Sequence, residues 1–484
     1  MSTESSPAAR GRIAGIEVRS IDYVPLNERH GKVWSQGPLW FMSNAQIATM
    51  AVGTFSVTGG GNLIWSLLAI IGGVLFGTFF MAFHSAQGPQ LGLPQMIQSR
   101  PQFGYVGALL VWAFAYLQYS GFNIFNTILA GDALHATVHG PSKLWIVVAT
   151  VVAAVVALIG YDLIHGVERW LTAGFLVIFG LLTVAVCTLG YPADSFDLGG
   201  FKWTPFLIQF GAVAGYQISW AIYVSDYSRY LPPSVTVRKT FLWTYWGSAL
   251  GAIWLMCLGS ALAAWAGAEF DTIASLKAAG DHLFTGFGGI ALIFSTLGLI
   301  SVTALNMYGG SLTLISAIDS FKKVRPTSTL RIITISFTAV LSLIPALLIG
   351  ENFLTNFEDF LLLVLYLFVP WTAVNLVDYY VVRRSSIPEA CTGGGAGVGS
   401  RRISSGSRRC FRSCPPASTP GLSRQSSMGP TSRCSSAFRS RGSFTGCWPR
   451  RLTWRARRGS PRRRPTSWSG WPLLTSVPRR TEAV

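Results

Sequence analysis

Charged residues are scarce in this chain of 484 residues. Asp, Glu, Lys and Arg make up 12% of it and hydrophobic residues 50%, whereas a soluble globular domain carries roughly 25% charged residues. This shortage argues against a soluble protein. Cysteine is also rare before residue 385, where Cys187 and Cys257 both lie in apolar runs, so a disulfide framework is excluded there. Residues 1–35 lack a short apolar stretch with a cleavage site, and no secretory signal peptide is predicted.

The last hundred residues differ in composition from the rest. From Ser385 onward there is no Lys, Asp, Asn, Tyr or His, while Ser occurs 20 times, Arg 19 times and Cys five times. All five missing residue types have adenine at the second codon position, and a shifted reading frame of a GC-rich gene produces this bias. We predict that 385–484 is a frameshifted, disordered tail. The alternative is a natural Arg/Ser-rich tail that binds RNA or anionic lipid.

The net charge of +18 comes almost entirely from that tail. Residues 1–384 carry 19 basic and 18 acidic residues, a balance of +1. The charge therefore gives no support for nucleic-acid binding by the apolar part of the chain, and no nucleic-acid partner is expected.

Ten apolar segments fill residues 36–382, and each has about the length of a membrane-spanning helix, roughly 17–25 residues. With the N-terminal segment 1–35 placed in the cytoplasm, the cytoplasmic segments hold 16 Lys and Arg and the other side three. This asymmetry follows the positive-inside rule and predicts a multi-pass protein of the plasma (inner) membrane, with its core at 36–384. The predicted spans are 36–58, 62–84, 104–131, 144–161, 170–190, 204–224, 241–266, 286–307 (or to 316), 330–350 and 358–382.

The first and sixth spans carry the marks of interrupted helices. Ser43, Asn44, Gln46 and Thr49 cannot all face one neighbouring helix, and a break there would expose backbone groups to a water-filled site. A continuous helix packed by interhelical hydrogen bonds is the alternative. Residues 211–220 give the sixth span the same irregularity. Paired interruptions at matching positions of two five-span halves point to a transporter site at the membrane midplane.

Amides and aromatic rings form a second pattern in the spans. Gln118, Phe122 and Asn126 are four residues apart and share one face of the third span. Asn306 lies in the eighth span, where we expect another helix interruption. The rings of Trp220 and Phe122 suit a planar ligand, and each amide offers both a donor and an acceptor. An uncharged heterocycle fits this set, although the same residues could instead be satisfied within helix interfaces.

Several stretches together resemble the nucleobase–cation symporters of the purine–cytosine permease type, which are related to hydantoin and allantoin permeases. The resemblance covers about 20–388. It implies an all-α integral membrane protein with ten transmembrane helices in a five-plus-five inverted repeat, and the last two helices of the family are missing here. The stretches that carry it are 219–232, 44–48, 121–126, 306–311 and 375–380.

The resemblance also implies site residues. The base would lie between Trp220 and Phe122, in a position where the third span of the family often has Trp, and would be held by amides. Since one sodium-binding hydroxyl is replaced by Ile300, sodium or proton coupling both remain open, and no other cofactor or metal is expected. The implied substrate residues are Trp220, Phe122, Asn126, Asn306, Gln118, Ala48 and Gln46, and the implied cation-binding residues are Asn44, Ile47, Leu297, Ile300 and Ser301.

Ionisable residues near the cytoplasmic span ends complete the predicted set. Asp226 and Arg229 suggest either an inner gate or proton relay, or a surface charge pair, and the charge pair is the preferred interpretation. His84 and His165 are expected to face water or lipid headgroups, and 86–103 is expected to form a re-entry loop or a short surface helix.

The leading functional hypothesis is a secondary active transporter that imports a nucleobase with a cation. A transporter of hydantoin-, allantoin- or vitamin-type heterocycles is the alternative within the same class. A membrane-embedded enzyme would need a catalytic cluster such as an HExxH helix, which the spans lack. A channel would need a repeated ring of pore-lining residues, which one asymmetric site does not supply.

Overall fold

The computed structural model describes residues 12–13, 16–17, 23–159, 161–322, 327–349 and 353–383. The tail predicted at 385–484 lies outside these residues. In the N-terminal segment, two strands of two residues each, β1 (Arg12–Ile13) and β2 (Ile16–Glu17), pair in antiparallel fashion.

α-Helices form nearly all of the remaining described chain, as expected for an all-α membrane protein. Helix α14 ends in a π-helical turn at Val377–Val382. The helices are α1 (Gln36–Asn44), α2 (Ile47–Val52), α3 (Phe55–Thr58), α4 (Leu63–Leu91), α5 (Arg100–Val138), α6 (Ser142–Ile159), α7 (Tyr161–Cys187), α8 (Trp203–Ser219), α9 (Val224–Ser228), α10 (Val237–Ala266), α11 (Thr272–Leu283), α12 (Phe287–Phe321), α13 (Ser328–Leu348) and α14 (Phe353–Leu376).

Among the described residues, seven helices are long and apolar enough to cross a membrane: α4, α5, α6, α10, α12, α13 and α14. The other three predicted spans fall on shorter or broken helices. Span 36–58 corresponds to α1, α2 and α3, span 170–190 lies largely in α7, and span 204–224 covers α8 and the turn after it.

Both predicted helix interruptions are confirmed. Helix α1 ends at Asn44, Ala45 and Gln46 leave the helical conformation with ψ angles of 73° and 164°, and α2 begins at Ile47. Helix α8 ends at Ser219 and a short 3-10 turn, Trp220–Ile222, follows before α9. The two breaks place non-helical backbone inside the bundle, where lipid cannot solvate it.

The interruption predicted near Asn306 is wrong, because α12 is continuous from Phe287 to Phe321. Gly309 and Gly310, which suggested a break, serve helix packing. A Cβ added at Gly309 would lie 3.0 Å from the ring of Tyr119, and one at Gly310 would lie 3.3 Å from Thr338. The missing side chains thus allow two neighbouring helices to approach α12.

Of the two alternatives predicted for 86–103, a surface helix is wrong, and the connecting segment is shorter than predicted. Helix α4 continues through Pro89 to Leu91, and α5 begins at Arg100 with a kink at Gly104, where φ is 73° and ψ 179°. The connection between them, residues 92–99, is buried in the bundle by its apolar side chains Leu93, Met96 and Ile97. We call residues 92–99 the buried connection.

Glycine also lets the broken first span lie directly against α10. A Cβ at Gly53 would collide with the carbonyl of Met256, and one at Gly259 would collide with the carbonyl of Met50. Backbone therefore meets backbone at this interface, and no side chain larger than hydrogen fits.

Gly53→Val should lower the melting temperature of the detergent-purified protein by several degrees, because overpacking an interface costs about 1–3 kcal/mol or more. Gly180→Ala is the matched control, since a Cβ at Gly180 in α7 meets no atom within 4 Å. Equal melting temperatures for Gly53→Val and the parent protein would contradict the packing described here. Differential scanning fluorimetry measures both variants.

Candidate substrate and cation site

Three aromatic rings form a buried face between the two helix breaks. The ring of Tyr216 meets Phe122 at 5.7 Å and Trp220 at 5.9 Å, both edge to face. Trp220 and Phe122, between which the base was expected to lie, are therefore neighbours in the structure, and Tyr216 packs against both of them. This residue was missed because it was read only as part of the irregular stretch in the sixth span.

The broken first span holds Tyr216 in position. Thr49 Oγ1 lies 2.7 Å from the Tyr216 hydroxyl, and Gln46 Nε2 donates to the same oxygen at 3.4 Å. Ala48, between them, is fully buried. Gln46 and Thr49 of the first span therefore reach the aromatic face through the Tyr216 hydroxyl.

Several buried polar atoms in this region have no hydrogen-bond partner among the described residues. They include Trp220 Nε1, both side-chain atoms of Asn126, Asn306 Nδ2 and Gln118 Oε1. Each of these groups costs about 1–3 kcal/mol when it stays unpaired. Gln118 and Asn126 lie one turn on either side of Phe122, and Asn306 bonds Tyr223, whose ring lies 5.5 Å from Trp220. This arrangement favours a binding site for a ligand with complementary donors and acceptors.

Two of the predicted amides use one of their two polar side-chain atoms in a hydrogen bond within the protein. Gln118 Nε2 donates to the carbonyl of Ser219, at the end of α8, at 2.9 Å. Asn306 Oδ1 accepts from the Tyr223 hydroxyl at 3.1 Å. Each amide keeps one free atom for a ligand and uses the other to fix its own orientation.

Asn123 is a further buried amide that sequence reasoning missed. Both of its side-chain polar atoms lack a partner in the described part of the chain. Tyr119, one turn earlier on α5, packs on Gly309 of α12 and lies 5.1 Å from Tyr223. Asn123 therefore continues the same face of α5 toward the middle of α12.

Asn44 supports the first break by its side chain. Its Nδ2 donates to Trp40 O at 2.8 Å and to Ser248 Oγ at 3.0 Å, and its Oδ1 accepts from Gln217 at 3.4 Å. The amide of Ile47, the first residue after the break, donates to Ser295 Oγ at 3.2 Å. The predicted cation residues of the first span thus lie at the break, next to a hydroxyl of α12.

The predicted cation residues of α12 are placed less favourably. Leu297 is 44% exposed on the outside of the bundle, and Ile300 packs near the apolar cluster of Ala153 and Ile335. Ser301 is buried. The α12 face that meets the break carries Ser295 and Gly298, whose added Cβ would lie 3.5 Å from the carbonyl oxygen of Ala45.

Asp226 and Arg229 are not a surface pair, so the preferred interpretation from the sequence is wrong. Asp226 is 2% exposed and Arg229 0%. Asp226 Oδ1 accepts from the backbone N–H of Gln95 at 2.7 Å, and Arg229 Nη2 donates to the Tyr230 hydroxyl at 3.2 Å. Both were misjudged because the sequence does not show that Asp226 lies against Gln95 of the buried connection or that Arg229 is buried in the bundle.

His84 does not face water or headgroups either. It is fully buried, and its ring stacks on Trp371 of α14 at 4.7 Å with an interplanar angle of 7°. The side chain of His165 lies outside the described residues.

Comparison with known proteins identifies the family. The family model described as "Permease for cytosine/purines, uracil, thiamine, allantoin" matches residues 23–391. YxlA of Bacillus subtilis, which is named a purine-cytosine permease, is 39% identical over 368 residues, covering 76% of this chain and 80% of the relative. This chain belongs to the cytosine/purine permease family.

More distant relatives agree with this membership. The purine-cytosine permease fcyB of Emericella nidulans is 25% identical over 390 residues, covering 76% of this permease and 74% of the relative. Among solved structures, Mhp1, a nucleobase-cation-symport-1 family transporter in a closed conformation with bromovinylhydantoin bound, superposes with a TM-score of 0.66. It is 18% identical, with 78% of this chain and 84% of the other covered. The permease is therefore a multi-pass membrane protein with a transporter fold.

Asn123→Leu should remove heterocycle binding without weakening the empty permease. The substitution replaces two unpaired buried polar atoms with an apolar side chain of similar size, so the melting temperature should stay level or rise. The increase in melting temperature on adding saturating cytosine or adenine should disappear. Thermal shift assays of the parent and variant, with and without base, measure both effects. A normal base-induced shift in the variant would remove Asn123 from the site.

Proposed function

We propose that this permease imports a nucleobase of the cytosine or purine type together with a cation. The supporting observation is the set of unpartnered, uncharged polar atoms around a buried aromatic face between two helix breaks. A nucleobase has flat faces for Trp220 and Phe122 and alternating donors and acceptors along its edge for the amides.

Each residue has a defined role in this proposal. Trp220 and Phe122 contact the faces of the base, and Tyr216 sets their spacing. The carboxamides hydrogen-bond the donors and acceptors along the edge of the base. They select the ligand because a ring with a different donor and acceptor pattern would leave these buried amides unpaired. The proposed reading residues are Asn123, Asn126, Asn306, Gln118 and Gln46, with Ala48 contributing backbone.

The first break is the proposed place of cation coupling. Backbone oxygens at Asn44 and Ile47, together with the hydroxyl of Ser295, offer the oxygen ligands that a hard cation such as sodium prefers. The same break holds Tyr216 through Gln46 and Thr49. A cation bound there would therefore also stabilise the aromatic face that contacts the base. Transport follows if base and cation together favour the closed state more than either does alone.

Aromatic clusters on both sides of the site serve as the proposed gates. On one side Phe125 lies 4.7 Å from Phe357, and Phe122 lies 5.3 Å from Phe360. On the other side Trp40 packs on Trp220 and Tyr227, each at 5.8 Å. Alternating access requires these clusters to open in turn.

The N-terminal side of the bundle is the proposed cytoplasmic side, because basic residues gather there. Arg29 donates to the carbonyl of Pro89 at the end of α4 at 2.8 Å, and Arg100 pairs with Asp319 at 3.2 Å. The cluster of Trp40, Trp220 and Tyr227 is then the proposed inner gate, with Asp226 and Arg229 on its cytoplasmic side. The cluster of Phe122, Phe125, Phe357 and Phe360 is the proposed outer gate.

Hydantoin-like rings also carry alternating N–H and carbonyl groups, so they are a second candidate substrate class. The likeness in fold to hydantoin-bound Mhp1 favours testing them. The experiment measures how strongly unlabelled adenine, uracil, hydantoin and allantoin inhibit the uptake of labelled cytosine. The order of inhibition ranks the two candidate substrate classes.

Trp220→Ala should abolish uptake of radiolabelled cytosine or adenine while leaving the protein in the membrane, because the ring face that contacts the base is lost. Trp246→Ala is the control, since Trp246 is 49% exposed on the outside of α10. The parent permease should show saturable accumulation against a gradient. An unchanged apparent affinity in Trp220→Ala would exclude Trp220 from the site, and flux that never exceeds the outside concentration would indicate a channel.

A further inference from the structure

The second helix break carries two groups that each bind a side-chain amide of the proposed site. The break is the 3-10 turn Trp220–Ile222, which separates α8 from α9. The carbonyl of Ser219, just before the turn, accepts from Gln118 Nε2 at 2.9 Å. The hydroxyl of Tyr223, just after the turn, donates to Asn306 Oδ1 at 3.1 Å. The second break is therefore linked to α5 through one amide and to α12 through the other.

The break itself makes the Ser219 carbonyl available to a side chain. In a continuous α-helix this carbonyl would accept from the backbone N–H four residues later, which belongs to Tyr223. That N–H donates instead to the carbonyl of Trp220 at 3.4 Å. Gln118 then supplies the hydrogen bond that the helix no longer provides. The interrupted backbone thus fixes a side chain of a neighbouring helix.

The chemistry of its partner determines the orientation of the Gln118 carboxamide. A backbone carbonyl can only accept, so the NH₂ group of Gln118 must face Ser219. Turning the carboxamide over would bring its oxygen against the carbonyl oxygen of Ser219. Gln118 Oε1 is left without a hydrogen-bond partner in the described part of the chain, although the side chain is only 1% exposed. Gln118 therefore presents an acceptor to a ligand.

Asn306 is oriented in the opposite sense. Its Oδ1 accepts from the Tyr223 hydroxyl, and its Nδ2 has no partner among the residues that the structure describes. The Tyr223 ring is held in turn by aromatic neighbours, at 5.5 Å from Trp220 and 5.1 Å from Tyr119. Asn306 therefore presents a donor to a ligand.

The other two amides on this part of α5 impose no such pattern. Both polar side-chain atoms of Asn123 and both of Asn126 lack a partner within the described ranges. Their carboxamides can turn over to suit either a donor or an acceptor of the ligand. Selection by hydrogen-bonding pattern therefore depends on Gln118 and Asn306.

We propose that the second break sets the hydrogen-bonding pattern that a ligand must have, with Tyr223 as a positioning residue. This inference rests on the proposed transport function and defines which heterocycles the same site selects. An accepted ring offers an N–H group to Gln118 and a ring nitrogen or carbonyl oxygen to Asn306. A ring that turns an acceptor toward Gln118, or a donor toward Asn306, leaves a buried amide unpaired and is rejected.

The test measures how adenine and analogues that each lack one polar group compete with labelled adenine for the purified full-length permease. 6-Methylpurine lacks the exocyclic N–H groups, 9-methyladenine lacks the ring N–H, and each deazaadenine has one ring nitrogen replaced by C–H. If cytosine binds more tightly, the corresponding cytosine analogues are used. In the parent, at least one N–H deletion and one acceptor deletion should weaken binding about tenfold or more, because a buried amide loses its partner.

Gln118→Met tests the acceptor, because it removes the carboxamide while keeping the length of the side chain. The penalty for deleting the N–H that pairs with Gln118 should disappear in this variant, while the penalty for the acceptor deletion remains. Gln90→Met is the matched control. Gln90 Nε2 also donates to a backbone carbonyl, that of Val235 at 3.3 Å, but the side chain is exposed. The control should keep every penalty of the parent.

Tyr223→Phe tests the positioning role, because it removes only the hydroxyl that holds Asn306. The freed amide can turn its oxygen toward the C–H group of a deazaadenine, a weak donor. The penalty for the acceptor deletion should therefore fall relative to the parent, whereas a merely structural role would weaken adenine and deazaadenine alike. Tyr116→Phe is the control, since the Tyr116 hydroxyl bonds Thr338 of α13 at 3.0 Å.

Two results would overturn this selection mechanism. One is a parent protein whose binding is weakened by no N–H deletion or by no acceptor deletion. The other is a set of penalties that is the same in the parent, Gln118→Met and Tyr223→Phe. If Gln118→Met is too unstable to purify, the ratios measured with Tyr223→Phe decide. A parent protein that binds no heterocycle at all would instead contradict the proposed transport function.

Discussion

The structure depends on two places where a helix stops inside an apolar bundle. At Ala45–Gln46 and again after Ser219, backbone groups leave the helical hydrogen-bonding pattern where no lipid could replace it. The protein satisfies part of this demand with side chains: Asn44 donates to Trp40 O, Ser295 accepts from the amide of Ile47, and Gln118 donates to Ser219 O. Unpaired side-chain atoms of Gln118 and Asn126 on α5, of Asn306 on α12 and of Trp220 at the second break are then available to a ligand.

Glycine packing makes these breaks possible without opening the bundle. The first span touches α10 backbone to backbone at Gly53 and Gly259, so its broken segments are held although they are too short to be stable alone. Aromatic clusters then close the site from both sides. The first span is thus held by backbone contact with α10 on one face and by the ring contacts of Trp40 with Trp220 and Tyr227 on another.

Much of the fold was readable from the sequence, because bilayer thickness and helix rise fix the length of a span and polar residues in apolar runs stand out. The two interruptions were predicted in this way, and the structure has them. The errors have a common cause. Gly309 and Gly310 resemble a break but serve packing. Asp226, Arg229 and His84 lie near span ends yet are buried, and Asp226 and His84 contact Gln95 of the buried connection. In both cases the outcome depends on contacts with residues that are distant in the chain. Asn123 and Ser295 were missed because choosing among adjacent positions on a helix requires knowing which neighbour each one faces.

The central claim is that an uncharged heterocycle binds between the two breaks, against Trp220 and Phe122, with its edge read by carboxamides. A density map of the full permease with saturating cytosine or adenine tests this most directly. The account predicts planar density touching Trp220 and within hydrogen-bonding distance of Asn123 or Asn126. Density confined to the outer cavity lined by Asp132, Phe270 and Asp271, with the buried amides still unpaired, would contradict it.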